Sequence, residues 1–199
     1  MSTLKILKKQ IDFIVEVDKL KNVLRRTSPI GLKRLENSAE HSWQVVLSAI
    51  LFVDHANEPI DLLKVVKMLV IHDVVEVDVG DTFHYEKAEN HDLYARELAA
   101  AKRIFGLLED PQNQELLALW QEFEARQTAE AKYAAAVDRI MAFFMNANNQ
   151  GGTWAKHNIP RALALEKNAH IAEGSSRLWE MAQSILQEAD QQGYMGKVS

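Results

Sequence analysis

The stretch Met68-Leu69-Val70-Ile71-His72-Asp73-Val74-Val75-Glu76 places two ionisable side chains inside an apolar run. At helical spacing His72 shares a face with Met68, Leu69 and Val75, and Asp73 with Leu69, Val70 and Val77. Neither neighbourhood is that of a solvated surface. A carboxylate buried alone loses its hydration at a large cost, so Asp73 needs a cation or a donor opposite it. Glu76 follows His72 by four residues and Asp73 by three, and so projects from the same side. Asp78 and Asp81 follow near Gly80, which is placed to end the helix.

Two other segments repeat the anomaly. Asp138 has Ala134, Ala135, Met141, Ala142 and Met145 as its helical neighbours, and His41 has Val45 and Ser48. Read singly, each has a structural account. A histidine on an apolar face is usually a hydrogen-bonded core residue, and Asp138 can pair with Lys132 or Arg139 of its own helix. Read together, two imidazoles and two carboxylates on core-facing helices form an N2O2 donor set. Such a set suits a borderline divalent ion: Mn, Fe, Co, Ni or Zn. Mg is less well matched, since it prefers all-oxygen shells.

The rest of the chain reads as helices. Hydrophobic residues are 47% and charged residues 26% of the 199, which is globular composition rather than that of a disordered chain. Gly 8 and Pro 4 leave few breakers. Leu4, Leu7, Ile11, Ile14 and Val17 form a first apolar stripe, which ends before the loop at Pro29 and Gly31. Asn37 with Glu40 predicts a capping box opening a helix to about Ala56. Leu62 to about Val77, about Ala88 to Leu108, and a helix opened by Asp110-Pro111 follow. Thr128 caps a helix to about Asn146, Asn148–Gly152 is a loop, and Pro160 opens a last helix to about Ala189 with a frayed tail beyond it. These signals predict one all-α domain of about six or seven helices, spanning residues 1–199 with its core in about 20–190. The absence of cysteine excludes disulfide scaffolds, thiol catalysis and iron–sulfur clusters. The net charge of −5 argues against nucleic-acid polymers as partners. No apolar run is long enough to span a bilayer, and Met1–Gln10 has no leader-like apolar segment, so no membrane partner and a cytoplasmic location are expected.

The order His41, His72-Asp73, Asp138 resembles the signature of HD-domain metal-dependent phosphohydrolases. The likeness extends to the branch containing the bacterial 5′-deoxynucleotidases, through Ser38–Ser42, Ile71–Asp81, Leu119–Glu124, Glu130–Tyr133, Ala136–Ile140 and Ser175–Trp179. It covers about residues 20–190. The resemblance implies a compact HD-type helical bundle with one divalent transition metal held by His41, His72, Asp73 and Asp138. It implies Glu76 and Asp81 as acidic active-site residues, with Asp81 also near substrate. It implies Arg26, fifteen residues before His41, as the arginine that meets the substrate. Those enzymes carry tryptophan after that arginine, near the sugar; this chain has Thr27. The activity so implied is hydrolysis of phosphomonoesters, foremost (deoxy)nucleoside 5′-monophosphates, by a homodimer. The alternatives are another phosphate ester or nucleotide as substrate, or a regulatory protein that binds nucleotide without turnover. His84 and His91, flanking the polar connection after the motif, are candidate substrate contacts.

Overall fold

The computed structural model describes residues 3–85 and 92–197, so His91 and the expected start of the helix at Ala88 lie outside the described residues. Among the described residues the chain is all-α, with no sheet. The helices are α1 (Thr3–Val17), α2 (Ser38–Leu51), α3 (Leu62–Ile71), α4 (Glu76–Val79), α5 (Leu93–Phe105), α6 (Gln112–Ala125), α7 (Ala129–Asn148), α8 (Gly152–Lys156), α9 (Arg161–Asn168), α10 (Ile171–Gly174) and α11 (Ser176–Gln191). The expected six or seven helices are eleven among the described residues, because two long periodic segments are broken and the short α8 forms between the expected loop and Pro160. The segment Leu62–Val77 breaks into α3 and α4 at residues 72–75. The segment after Pro160 breaks into α9, α10 and α11, with Ser175 capping α11 through the Leu178 amide. Residues 195–196 of the tail are not frayed either. The Gly196 amide donates to the Ile159 carbonyl at 2.8 Å, and Met195 is buried.

Local signals explain the helix starts. Asn37 and Glu40 form the reciprocal capping box at α2, Asp61 accepts from the Leu63 and Lys64 amides at α3, and Thr128 accepts from the Ala131 amide at α7. Gly80 stops α4 at φ 75°, a left-handed conformation that glycine adopts without cost.

The central element is α7, packed by α2, α3, α6, α8, α10 and α11. Its run of Ala131, Ala134, Ala135 and Ala136 is buried and lets neighbours approach closely. A side chain on Gly174 of α10 would meet the Lys132 carbonyl of α7, so only glycine fits that crossing. Two apolar clusters flank the middle of the molecule. One joins α2, α3, α7 and α11 around Met68, Tyr133 and Phe143. The other joins α5 and α6 around Phe105 and Trp120, and receives Ile71, Val74 and Val75. The motif segment is apolar on all sides because it bridges these two clusters, which isolates His72 and Asp73 between them.

Candidate metal centre

The break after α3 positions the first pair. The Val74 amide donates to the Ile71 carbonyl at 3.1 Å and the Glu76 amide to the Asp73 carbonyl at 2.9 Å, so the chain tightens to three-residue steps. His72 Nδ1–H donates to the Leu69 carbonyl at 2.8 Å. That bond occupies Nδ1 and turns Nε2 toward the two aspartates, where a bound ion would displace its proton. His72 Nε2 is buried and has no hydrogen-bond partner. It faces Asp73 Oδ1 at 3.2 Å and Asp138 Oδ1 at 3.7 Å.

The second imidazole comes from the first turn of α2. His41, 1% exposed, places Nε2 2.8 Å from Asp138 Oδ1 and 4.0 Å from Asp73 Oδ2. Asp138 projects from the middle of α7. His41, His72 and Asp73 each bring one donor atom within 4.8 Å of the others, and Asp138 closes the group against both imidazoles.

Donors about 2.1 Å from a shared ion lie about 3 Å apart when adjacent and about 4 Å apart when opposed. The distances of 2.8 to 3.7 Å among the imidazole nitrogens, Asp73 Oδ1 and Asp138 Oδ1 match that range. A buried imidazole nitrogen without a partner is otherwise costly. The residues present therefore fit a divalent ion, and the four expected ligand residues are brought together.

Electrostatics separates the two histidines. Burial and the Arg25 charge push His41 down to about 4, against the two carboxylates. Burial opposes charge on His72 as well, but Asp73 and Asp138 outweigh it and raise it to about 9. Burial would raise both aspartates; the histidines and arginines around them hold them below the ordinary range. Glu76 behaves oppositely. Burial and the nearby Asp73 charge, opposed by Arg25, lift it to about 8, and Ser38 Oγ donates to its Oε2 at 2.6 Å.

Arg25, rather than Arg26, reaches this centre. Residues 23–27 run antiparallel to 36–38: the Arg25 amide donates to the Glu36 carbonyl and the Glu36 amide to the Thr27 carbonyl. Extended backbone alternates its faces. Arg25 and Thr27 therefore point inward, while Leu24 and Arg26 are exposed. Arg25 Nη1 donates to Asp73 Oδ2 at 2.8 Å and lies 4.0 Å from Asp81 Oδ1; its Nε lies 3.6 Å from Glu36 Oε2. Arg26 lines the mouth of the adjoining cavity, with its guanidinium 6.0 Å from the Phe83 ring centre. The Thr27 hydroxyl is turned to Glu36, donating at 3.1 Å.

Sequence reasoning missed Glu36. It is 2% exposed, 3.7 Å from His41 Nδ1, and raised by burial to about 7 against Arg25 and Thr27. Only the pairing of residues 23–27 with 36–38 brings it there. One cavity holds this centre. Its wall includes Asp73, Glu76, Asp81, Asp138, His84 and the aromatic Phe83, Phe143 and Trp154. Trp154 is buried and packs edge-on to Phe143, so it forms wall rather than lid.

The HD domain family model matches residues 17–179. A 5′-deoxynucleotidase HDDC2 of Bos taurus is 28% identical over 188 residues, covering 83% of this chain and 89% of its own. The HDDC2 of Danio rerio is 26% identical, covering 84% and 94%. A predicted metal-dependent phosphohydrolase from Magnetospirillum magnetotacticum MS-1, solved by crystallography, superimposes with TM-score 0.91 at 43% identity over 96% of both chains.

Proposed function

The chain belongs to the HD domain family, and from that premise we propose that it hydrolyses (deoxy)nucleoside 5′-monophosphates to nucleoside and phosphate in a metal-dependent reaction. The observation that carries this reading is the orphaned His72 Nε2 facing Asp73 and Asp138 on a cavity wall beside Glu76. The names of the HDDC2 relatives and of the 43% identical phosphohydrolase support it.

His41, His72, Asp73 and Asp138 would hold the ion, whose donor set suits Mn, Fe, Co, Ni or Zn. When bound, such an ion supplies positive charge that polarises a phosphoryl oxygen and acidifies a water. Arg25 neutralises Asp73 and fixes its second oxygen, so that Oδ1 is left for the centre. Arg26 at the mouth supplies a guanidinium for a phosphate oxygen. Glu76, protonated at neutral pH, is the proton donor. Attack of water on phosphorus breaks the P–O5′ bond; the leaving 5′-oxygen takes the Glu76 proton, and the attacking water returns one. Asp81, near Arg25, is placed to hold that water or a sugar hydroxyl. Thr27 is committed to Glu36 and does not select the sugar.

Among the described residues no helix is long and apolar enough to cross a membrane, and we assign the protein to the cytoplasm. The partner we assign to the outer face of α2, where Trp43, Leu47, Ile50 and Leu51 are exposed, is a second copy of the chain. Sedimentation of the full chain reads a dimer, and a monomer that persists at high concentration removes that assignment.

The test is a phosphate-release screen. Metal-stripped protein is reloaded with Mn, Co, Ni, Zn or Mg and offered ribo- and deoxynucleoside 5′-monophosphates and a 3′-monophosphate. Release from 5′-monophosphates that needs added metal is the expected result. Stoichiometric metal and nucleotide binding without release would move the protein to the binding class.

A further inference from the structure

The cavity has a second wall that the reaction above does not use. Arg139 follows Asp138 on α7, and Arg126 caps the end of α6; both line the cavity. Arg139 Nε is buried without a hydrogen-bond partner. Its nearest carboxylate oxygen is Asp138 Oδ2, 3.7 Å from Nη2, too far for a hydrogen bond. Among the described residues the Arg126 side chain makes no hydrogen bond or ion pair, although Glu97 and Glu124 line the same cavity and have partners.

Arg126 is also held at φ 51°, ψ 38°, a left-handed conformation unfavourable for a side chain of its size. Both guanidiniums line the same cavity, and after burial both charges help push the half-buried His170 down to about 4. Arg139 has Asp138 at ion-pair distance but no acceptor for its buried Nε, and a buried guanidinium N–H without an acceptor is costly. An anion in the cavity would supply that acceptor and a counterion for Arg126.

Arg25 on the opposite wall provides the contrast. It has Asp73, Glu36 and Asp81 around it, so its charge is already answered by the protein. We infer that Arg126 and Arg139 form a second anion-binding subsite, which takes a second phosphate group of the nucleotide, beyond the one at the His41, His72, Asp73 and Asp138 centre. This inference rests on the reading of the cavity as a nucleotide site. The second phosphate has two chemical sources, the 3′ position of a 3′,5′-bisphosphate or the β position of a 5′-diphosphate.

The experiment is calorimetric binding to the metal-loaded full chain carrying Glu76→Gln to slow turnover. The probes are one nucleoside as 5′-monophosphate, 3′,5′-bisphosphate and 5′-diphosphate. At least one doubly phosphorylated form is expected to bind about tenfold more tightly than the monophosphate, and which one identifies the source. Arg139→Gln and Arg126→Gln should each erase most of that advantage while leaving the monophosphate affinity within about threefold; Arg139→Lys should keep part of it. Equal binding of all three forms would overturn the inference, as would an advantage that survives both substitutions. Equal losses for mono- and doubly phosphorylated forms would place these arginines on the scissile phosphate and overturn it too. Phosphate release by the wild-type chain is read separately. Release without a second-phosphate preference removes only the subsite, and arginine-dependent preference without release removes only the hydrolase.

Discussion

Arg25 and Arg139 stand on opposite walls of one cavity, each against a ligand-type aspartate. Arg25 donates to Asp73 at 2.8 Å, whereas Arg139 approaches Asp138 no closer than 3.7 Å and leaves its buried Nε bare. The first wall is saturated in charge, with Glu36, Asp73 and Asp81 around Arg25. The second is under-coordinated. Saturated walls hold geometry, and under-coordinated ones await a ligand. Two buried atoms on the first wall lack a hydrogen-bond partner: Arg25 Nε, which has Glu36 at 3.6 Å, and His72 Nε2, which the proposed metal would satisfy.

The comparison breaks most severely if the saturated wall is not the reactive one. Asp73→Ala removes a donor and frees Arg25, and phosphate release should fall by about 10³-fold or more; near-normal release from this variant would refute the assignment. Glu76→Gln is expected to cost about 10²–10⁴-fold in turnover with metal content unchanged. Turnover and bound metal are measured on the same sample, and loss of both would make Glu76 a structural support rather than a proton donor.

A smaller effect concerns pH. Glu76 is raised from 4.5 to about 8 in the folded chain. Between those values the folded state binds the extra proton, so this group's contribution to stability declines as pH rises through that window. Glutamine mimics the protonated form. The melting temperature of metal-free Glu76→Gln should therefore gain on the metal-free wild type from pH 5 to pH 8, by a few degrees. A difference independent of pH would deny the buried, protonated carboxyl. The smallest effect is expected at Thr27→Val, which removes one donor to Glu36 at a cost of about 1 kcal/mol. The deoxy-to-ribo ratio should stay constant; a changed ratio would return Thr27 to the sugar.

Much of the site was legible in the sequence because burial and charge conflict there. His72 and Asp73 in an apolar run, Asp138 on a stripe of alanines and methionines, and His41 in a capped helix each violate the pattern around them. The caps at Asn37 and Thr128 were equally legible, being local hydrogen-bond chemistry. The break at residues 72–75 was not, because an apolar run serving two clusters keeps helical periodicity on both sides. The inward position of Arg25 was not legible, because the inward face is set by pairing with residues 36–38, across a loop that carries no periodic signal. Glu36 was hidden for the same reason. Arg126 gave no sign, since a charged residue at a helix end is ordinary.

The central claim is that His41, His72, Asp73 and Asp138 hold one divalent ion. The most direct measurement is metal content by mass spectrometry of the reloaded full chain beside folded His72→Ala and Asp138→Ala variants. One ion per wild-type chain, with the ion lost from both variants, is the predicted result. An ion retained stoichiometrically by both variants, or a wild-type chain that takes none, would contradict it.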